Sequence, residues 1–155
     1  MTKISCVVPC YNEEASLPFF YDTMAEVMAQ MEQENGVTFE VIYVNDGSRD
    51  NTLDVMRMLK EKDTRMRYIS FSRNFGKEAG MYAGLQHATG DYTVIMDADL
   101  QDPPELMDEM YKTLIETDYD CVASCRVDRK GESKIRSAFA NDVFHDDLQS
   151  IYQEQ

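Results

Sequence analysis

Positive charge is scarce in this 155-residue chain, with 15 lysines and arginines against 29 aspartates and glutamates and a formal charge of −14 at pH 7. Such a balance has little with which to attract a phosphate backbone, so no nucleic-acid partner is expected. Long apolar runs are also missing. The longest, around residues 41–44 and 94–96, are a handful of residues, far short of the ~20 that a membrane-crossing helix needs. The N-terminus lacks the basic-then-apolar layout of a signal peptide, and the chain as it stands is expected to be soluble and cytoplasmic. No low-complexity block, internal repeat or linker interrupts it. Its length fits one domain of the usual ~100–150 residues and excludes two, while 43% hydrophobic residues suffice for a core.

Tryptophan is absent and methionine is abundant, with 11 copies. Met24, Met28 and Met31 recur at the three-to-four spacing of a helix face, which suits core packing or a seam against a partner helix and leaves room for a homo-oligomer. The four cysteines form two C-x3-C pairs, Cys6/Cys10 and Cys121/Cys125. Both pairs lie on strand-like runs, where positions four apart are roughly 13 Å from one another at ~3.3 Å per residue, so neither pair can clamp one ion. In a reducing compartment they read as buried free thiols. His87 and His145 match no motif and read as surface residues.

The apolar pattern alternates between strand-like and helix-like periods. Residues 4–9, 39–44, 68–71, 92–96 and 121–124 are short, apolar and β-branched or aromatic, and predict five buried strands. Residues 15–33, 52–62, 78–88 and 104–117 predict four helices, the second preceded by the capping types Asp50 and Asn51 and the fourth opened by Pro103 and Pro104. Strands and helices in strict alternation imply an α/β fold with a mostly parallel sheet, right-handed crossovers and helices on both faces. Ligands of such sheets bind beyond the carboxyl ends of the strands, which selects residues 10–14, 45–50, 72–77, 97–103 and 126–134.

Every polar cluster of interest falls in those loops. Asp97-Ala98-Asp99-Leu100-Gln101-Asp102 follows a strand directly. Its D-x-D carboxylates, with the neutral oxygen of Gln101, suit a hard cation such as Mg2+ or Mn2+, although acids at this place also cap the following helix. Pro9-Cys10-Tyr11-Asn12-Glu13-Glu14 offers an aromatic ring, an amide and carboxylates that could stack on and hydrogen-bond a base or ribose, or simply turn into the first helix. Asn45-Asp46-Gly47-Ser48-Arg49-Asp50 is a tight turn that leaves Asp46 toward the same crevice. Ser72-Arg73-Asn74-Phe75-Gly76-Lys77 brings two cations, Arg73 and Lys77, to an acidic rim where they could hold phosphates. The GxGxxG and GxxxxGK[ST] patterns are both missing, which disfavours a dehydrogenase or a P-loop NTPase.

Together, Val8–Glu14, Val44–Asp50, Ser72–Lys77 and Asp97–Glu105 resemble family 2 glycosyltransferases, and among them the polyprenyl-phosphate glycosyltransferases that include dolichol-phosphate mannose synthases and undecaprenyl-phosphate glucosyltransferases. Four motifs in order, each at a strand end, carry this resemblance over residues 3–139. It implies a GT-A fold, a Rossmann-like α/β/α sandwich, and an inverting, metal-dependent transfer from a UDP- or GDP-sugar to a lipid phosphate. By the resemblance, Pro9, Tyr11, Asn12 and Glu13 border the nucleotide and Asp46 meets the base, with Ser48, Arg73, Lys77 and Ala98 in the donor site. Asp97, Asp99 and Gln101 surround the metal and diphosphate. Arg126 and Arg136 gather at the acceptor phosphate, with Arg129 and Lys134 as weaker neighbours. A lipid phosphate is already anionic and needs orientation more than deprotonation, a task suited to arginine, whereas a sugar acceptor would need a general base.

The chain departs from this pattern after about residue 140. Residues 1–140 read as the nucleotide-sugar-binding domain, while residues 141–155 carry four acids and no lysine or arginine and do not resemble the family continuation. They read as a truncation end or a naturally short end. Membrane contact would use a region missing from this chain, with the full-length protein at the cytoplasmic membrane face. Two other functions fit the same motifs: a family 2 transferase that extends a polysaccharide, and a nucleotide-sugar-binding fragment without turnover.

Overall fold

The computed structural model describes residues 1–124. Its elements alternate from the first: β1 (Lys3–Cys10), α1 (Leu17–Asn35), β2 (Thr38–Asn45), α2 (Thr52–Lys62), β3 (Met66–Ser70), α3 (Lys77–His87), β4 (Tyr92–Ile95) and α4 (Leu106–Glu116). The runs of β1 and β2 are buried at nearly every position and mostly apolar because both of their faces are covered, as in any parallel strand placed between helices. All pairings are parallel, in the order β3-β2-β1-β4. From β1 the chain steps outward through β2 and β3, then returns to β1's other side to lay down β4. The crevice therefore opens between the carboxyl ends of β1 and β4, where the winding reverses.

One face of the sheet carries Ile4, Cys6 and Val8 in register with Phe39, Val41 and Tyr43. Phe20, Met24, Met28 and Met31 of α1, Met56 and Leu59 of α2, and Met107 and Tyr111 of α4 join them in one buried core. The methionine stripe of α1 is thus core packing. Edge-on ring contacts pin the layers, Phe20 to Tyr43 at 6.4 Å between centroids and Tyr92 to Tyr111 at 5.6 Å. The other face is covered by α3. Its inward side is made of Gly80 and Gly84, which lie directly on Pro9, Val44 and Val7.

At the amino ends of the strands, a buried carboxylate ties four segments together. Glu40 accepts hydrogen bonds from the Ser5 hydroxyl at 2.7 Å, from the Thr89 amide at 2.7 Å and hydroxyl at 2.8 Å, and from Arg67 at 2.9 Å. Lys3 adds an ion pair at 3.2 Å. Burial alone would raise this carboxyl, but the hydrogen bonds from Ser5, Thr89 and Arg67 outweigh it and hold the group at about 2.

Sequence expectations are corrected at residues 121–124 and at the start of the fourth helix. Residues 121–124 are not a strand: they form no ladder with any described strand, and Cys121, Ala123 and Ser124 are exposed. With only Val122 half-buried, the run has no face to bury, and a strand without burial or a partner has nothing to hold it. Cys121 is correspondingly an exposed thiol rather than a buried one, whereas Cys6 and Cys10 are buried as expected. Cys125 and the expected domain boundary at residue 140 lie outside the described residues. The fourth helix starts two residues later than expected, because the carbonyls of Pro103 and Pro104 first accept turn hydrogen bonds from Leu106 and Met107.

Candidate functional site

The loops after β1 and β2 are laced to one another by hydrogen bonds. The Asn12 amide donates to the Ser48 hydroxyl at 3.0 Å, and the Arg49 amide donates to Asn12 Oδ1 at 2.9 Å. The Glu13 amide donates to Thr52 Oγ1 at 2.8 Å. The Glu14 carboxylate accepts from the Asn51 amide at 2.8 Å, and Asp50 accepts from the Glu14 amide at 3.2 Å. Asp50 also takes the Thr52 amide and hydroxyl, opening α2; burial pushes its carboxyl up, but these donors prevail and hold it below its ordinary value. Asn12 pays for its place with a left-handed backbone at φ 58°, a conformation that asparagine tolerates better than most residues.

The loop before α3 is fastened to this assembly by Asp46. Its carboxylate is buried and accepts from the backbone amides of Phe75 at 2.6 Å and Gly76 at 2.9 Å. Beside it Gly47, at φ 64°, lies so close to the loop that a β-carbon would stand 2.2 Å from the Arg73 carbonyl carbon. Only glycine satisfies both conditions. Phe75 stacks edge-on with Phe71 at 5.6 Å, and the Arg73 guanidinium lies 4.7 Å from the Phe75 ring centre.

These loops and the one after β4 enclose an open cleft of roughly 430 Å3, lined by Pro9, Tyr11, Glu13, Asp46, Lys77, Asp97, Ala98 and Asp99. That volume is in the range of small-molecule sites. Lys77, the first residue of α3, reaches across to Asp97, with its ammonium 2.7 Å from Oδ1 and 2.8 Å from Oδ2. Asp99 Oδ1 accepts from the Gln101 amide at 3.0 Å, and Leu100 between them is left-handed at φ 57°. A leucine held there is strained, so the turn that presents the D-x-D pair is imposed by its surroundings. The Cys10 thiol at the cleft floor is pushed well above its ordinary pKa, first by burial and then by Glu13 and Asp97, and stays protonated.

Eight of the residues singled out in the sequence thus meet at one cleft. Four others do not line it. Asn12 and Ser48 are engaged with each other's loops, Arg73 lies over Phe75, and Gln101 meets Asp99 through its backbone. Arg126 and Arg136, with Arg129, Lys134 and His145, lie outside the described residues. Cys10, Asn74 and Gly76 line the cleft without having been singled out; their place at a strand end or in the loop before α3 was the available signal. The cross-loop function of Asp46 had no local signal, since its partners are 29 and 30 residues away.

Among the described residues no three His, Cys, Asp or Glu side chains cluster as a self-contained metal site. The donor set still fits a hard divalent cation that shares its shell with a diphosphate. Such ions are commonly held by one or two carboxylates plus substrate phosphates, and both oxygens of Asp97 already engage a cation in the form of Lys77.

The chain is 43% identical over 131 residues to an uncharacterized glycosyltransferase, YkcC, of Bacillus subtilis, an alignment that covers 84% of this chain and 39% of that protein. It is 39% identical over 134 residues to a prophage bactoprenol glucosyl transferase homolog of Escherichia coli, covering 86% and 42%. It therefore spans about two fifths of the length of these relatives. Among solved structures, the mannosyltransferase PcManGT from Pyrobaculum calidifontis in complex with GDP-Man and Mn2+ superposes with a TM-score of 0.54 at 24% identity, over 66% of this chain and 33% of that one. Staphylococcus aureus TarS in complex with UDP-GlcNAc superposes with a TM-score of 0.51 at 26% identity, over 70% and 32%. The sheet and its helices thus have the GT-A arrangement; with residues 5–149 matched by the family model for glycosyl transferase family 2, the chain belongs to that family.

Proposed function

We propose that this chain is the donor-binding part of an inverting glycosyltransferase that moves a sugar from a UDP- or GDP-sugar to a polyprenyl phosphate at the cytoplasmic membrane face. The observation that carries the reading is the placement of Asp97 and Asp99, beside Lys77, at the crevice where the sheet's winding reverses, in a chain 39% identical to a bactoprenol glucosyl transferase homolog. Pro9, Tyr11 and Glu13 border the nucleoside, and Asp46 meets the base from below while holding the loop before α3. Asp97 and Asp99, with Gln101 beside them, would hold Mg2+ or Mn2+. When bound, that ion neutralises charge growing on the departing diphosphate. Arg126 and Arg136 are assigned to the acceptor phosphate, which a guanidinium pairs bidentately, and residues 1–140 to the donor domain.

A thermal-shift series with UDP- and GDP-sugars, with and without Mn2+, tests this. Only a ligand that binds the native state raises its stability, by about 2.7 kcal/mol at a hundred times its Kd. One nucleotide sugar is expected to stabilise the chain in a Mn2+-dependent manner, and Asp99→Asn, which loses the charge but keeps the shape, should abolish the metal dependence without unfolding the protein. Absence of stabilisation by every donor, or an Asp99→Asn variant that behaves as the parent, overturns the reading.

A further inference from the structure

The ammonium of Lys77 occupies the ground on which the proposed cation would have to bind. It contacts both oxygens of Asp97, at 2.7 and 2.8 Å, and a carboxylate so engaged cannot also take a divalent ion at the same face without setting two positive charges against each other. We infer that Lys77 is a placeholder cation: it neutralises Asp97 while the donor is absent, then yields it and turns to the diphosphate when metal and nucleotide arrive together. This rests on the reading of Asp97 as a metal ligand.

Three features of the site suit such an exchange. The pair is accessible, with the Lys77 side chain 54% and the Asp97 side chain 41% exposed, so water can receive each group as they part and the bond between them is weak. The base of Lys77 is fixed, because the amides just before it are held by Asp46; the ammonium moves on its own flexible stem about an anchored backbone. Lysine is also a compact point charge that can pass from one oxygen group to another without a fixed fork geometry. A nucleotide diphosphate entering the cleft supplies the oxygens that replace Asp97, and α3 presents its positive amino end toward the same anion. Lys77 should consequently oppose bare metal and favour metal with nucleotide, two effects of opposite sign from one side chain.

Binding of Mn2+ to the full chain, followed by electron paramagnetic resonance with and without UDP or GDP, separates these effects. Lys77→Met is expected to bind Mn2+ alone about two- to fivefold more tightly than the parent, the range set by release of an exposed ion pair, while its affinity for nucleotide in the presence of Mn2+ falls about tenfold through loss of a charged contact. Lys77→Arg keeps the charge and should leave bare Mn2+ binding at the parent level. If the parent binds Mn2+ with nucleotide but Lys77→Met shows no gain for Mn2+ alone, the placeholder is overturned and the donor reading stands. A gain in Lys77→Arg equal to that in Lys77→Met overturns it too, since charge would not be the cause. A parent that binds neither Mn2+ nor nucleotide in combination defeats the donor reading and this inference together.

Discussion

Asp46 and Gly76, thirty residues apart in sequence, are joined by a 2.9 Å hydrogen bond from the glycine amide to the buried carboxylate. The same carboxylate takes the neighbouring Phe75 amide, so one side chain sets the course of the loop that delivers Lys77. Asp46→Ala is expected to lower stability by about 1–3 kcal/mol, the usual penalty when buried donors lose their acceptor, and to weaken nucleotide binding by a similar amount. Asp46→Asn retains one acceptor oxygen and should lose less stability. Urea denaturation reads the first effect and calorimetric titration with UDP or GDP the second; an unchanged urea midpoint in Asp46→Ala would remove the loop-anchoring role.

Glu40 predicts a pH dependence. Its carboxyl sits at about 2 in the folded chain against an ordinary 4.5, so the contribution is fully present above pH ~5 and is lost as pH falls through 4.5 toward 2. With ~1.4 kcal/mol for each tenfold difference in proton affinity, it is worth on the order of 3 kcal/mol. Glu40→Gln should be less stable than the parent at pH 7 by about that amount, and the gap should shrink as the parent is brought to pH 3. Parallel urea midpoints for the two proteins across this range would contradict the assignment.

Gly84 packs against Val7 so closely that a β-carbon would lie 2.1 Å from Val7 Cγ1. Alanine improves helix propensity by about 1 kcal/mol, but overpacking a rigid, branched neighbour costs about 1–3 kcal/mol. Gly84→Ala is therefore expected to be destabilising, and Gly84→Ala combined with Val7→Ala should recover part of the loss. A thermal melt showing Gly84→Ala above the parent would mean that α3 can lift from the sheet at no cost.

The hydroxyl of Tyr43 is buried and, among the described residues, is the one buried side-chain polar atom lacking a hydrogen-bond partner. An unmet buried hydroxyl costs about 1–3 kcal/mol. Tyr43→Phe keeps the edge-on contact with Phe20 and should raise stability by about 1 kcal/mol. A drop in the urea midpoint would show that the oxygen is satisfied in solution.

The alternation of apolar strands with three-to-four periodic helices was readable because burial on both faces leaves the middles of β1 and β2 as mostly apolar runs. The strand-end rule then selected the loops that carry Tyr11, Glu13, Asp46, Lys77, Asp97 and Asp99, which line one crevice. Residues 121–124 misled for a physical reason: a short apolar run carries no information on whether a sheet edge is there to receive it. Asn12 and Ser48 were ambiguous for another reason. Their residue types suit both ligand binding and loop lacing, and the distances show the lacing, in which each meets the other's loop. The Glu40 cluster was illegible because its members come from four separate segments of the sequence.

The pairing of β1 with β4 fixes the order in which the molecule can assemble. Ile4 is in register with Tyr92 and Val7 with Ile95, whereas the β1–β2 ladder needs the chain only as far as Asn45. During synthesis at ~5–20 residues per second, β1 and β2 are available seconds before β4 emerges, and until then the flank of β1 that β4 will occupy is a row of unpaired backbone groups, an invitation to foreign strands. Because the cleft is bounded by β1 and β4 together, ligand cannot assist folding until that late pairing is made. A nascent chain stopped short of Ile95 is thus expected to be caught by chaperones or to aggregate whatever nucleotide surrounds it.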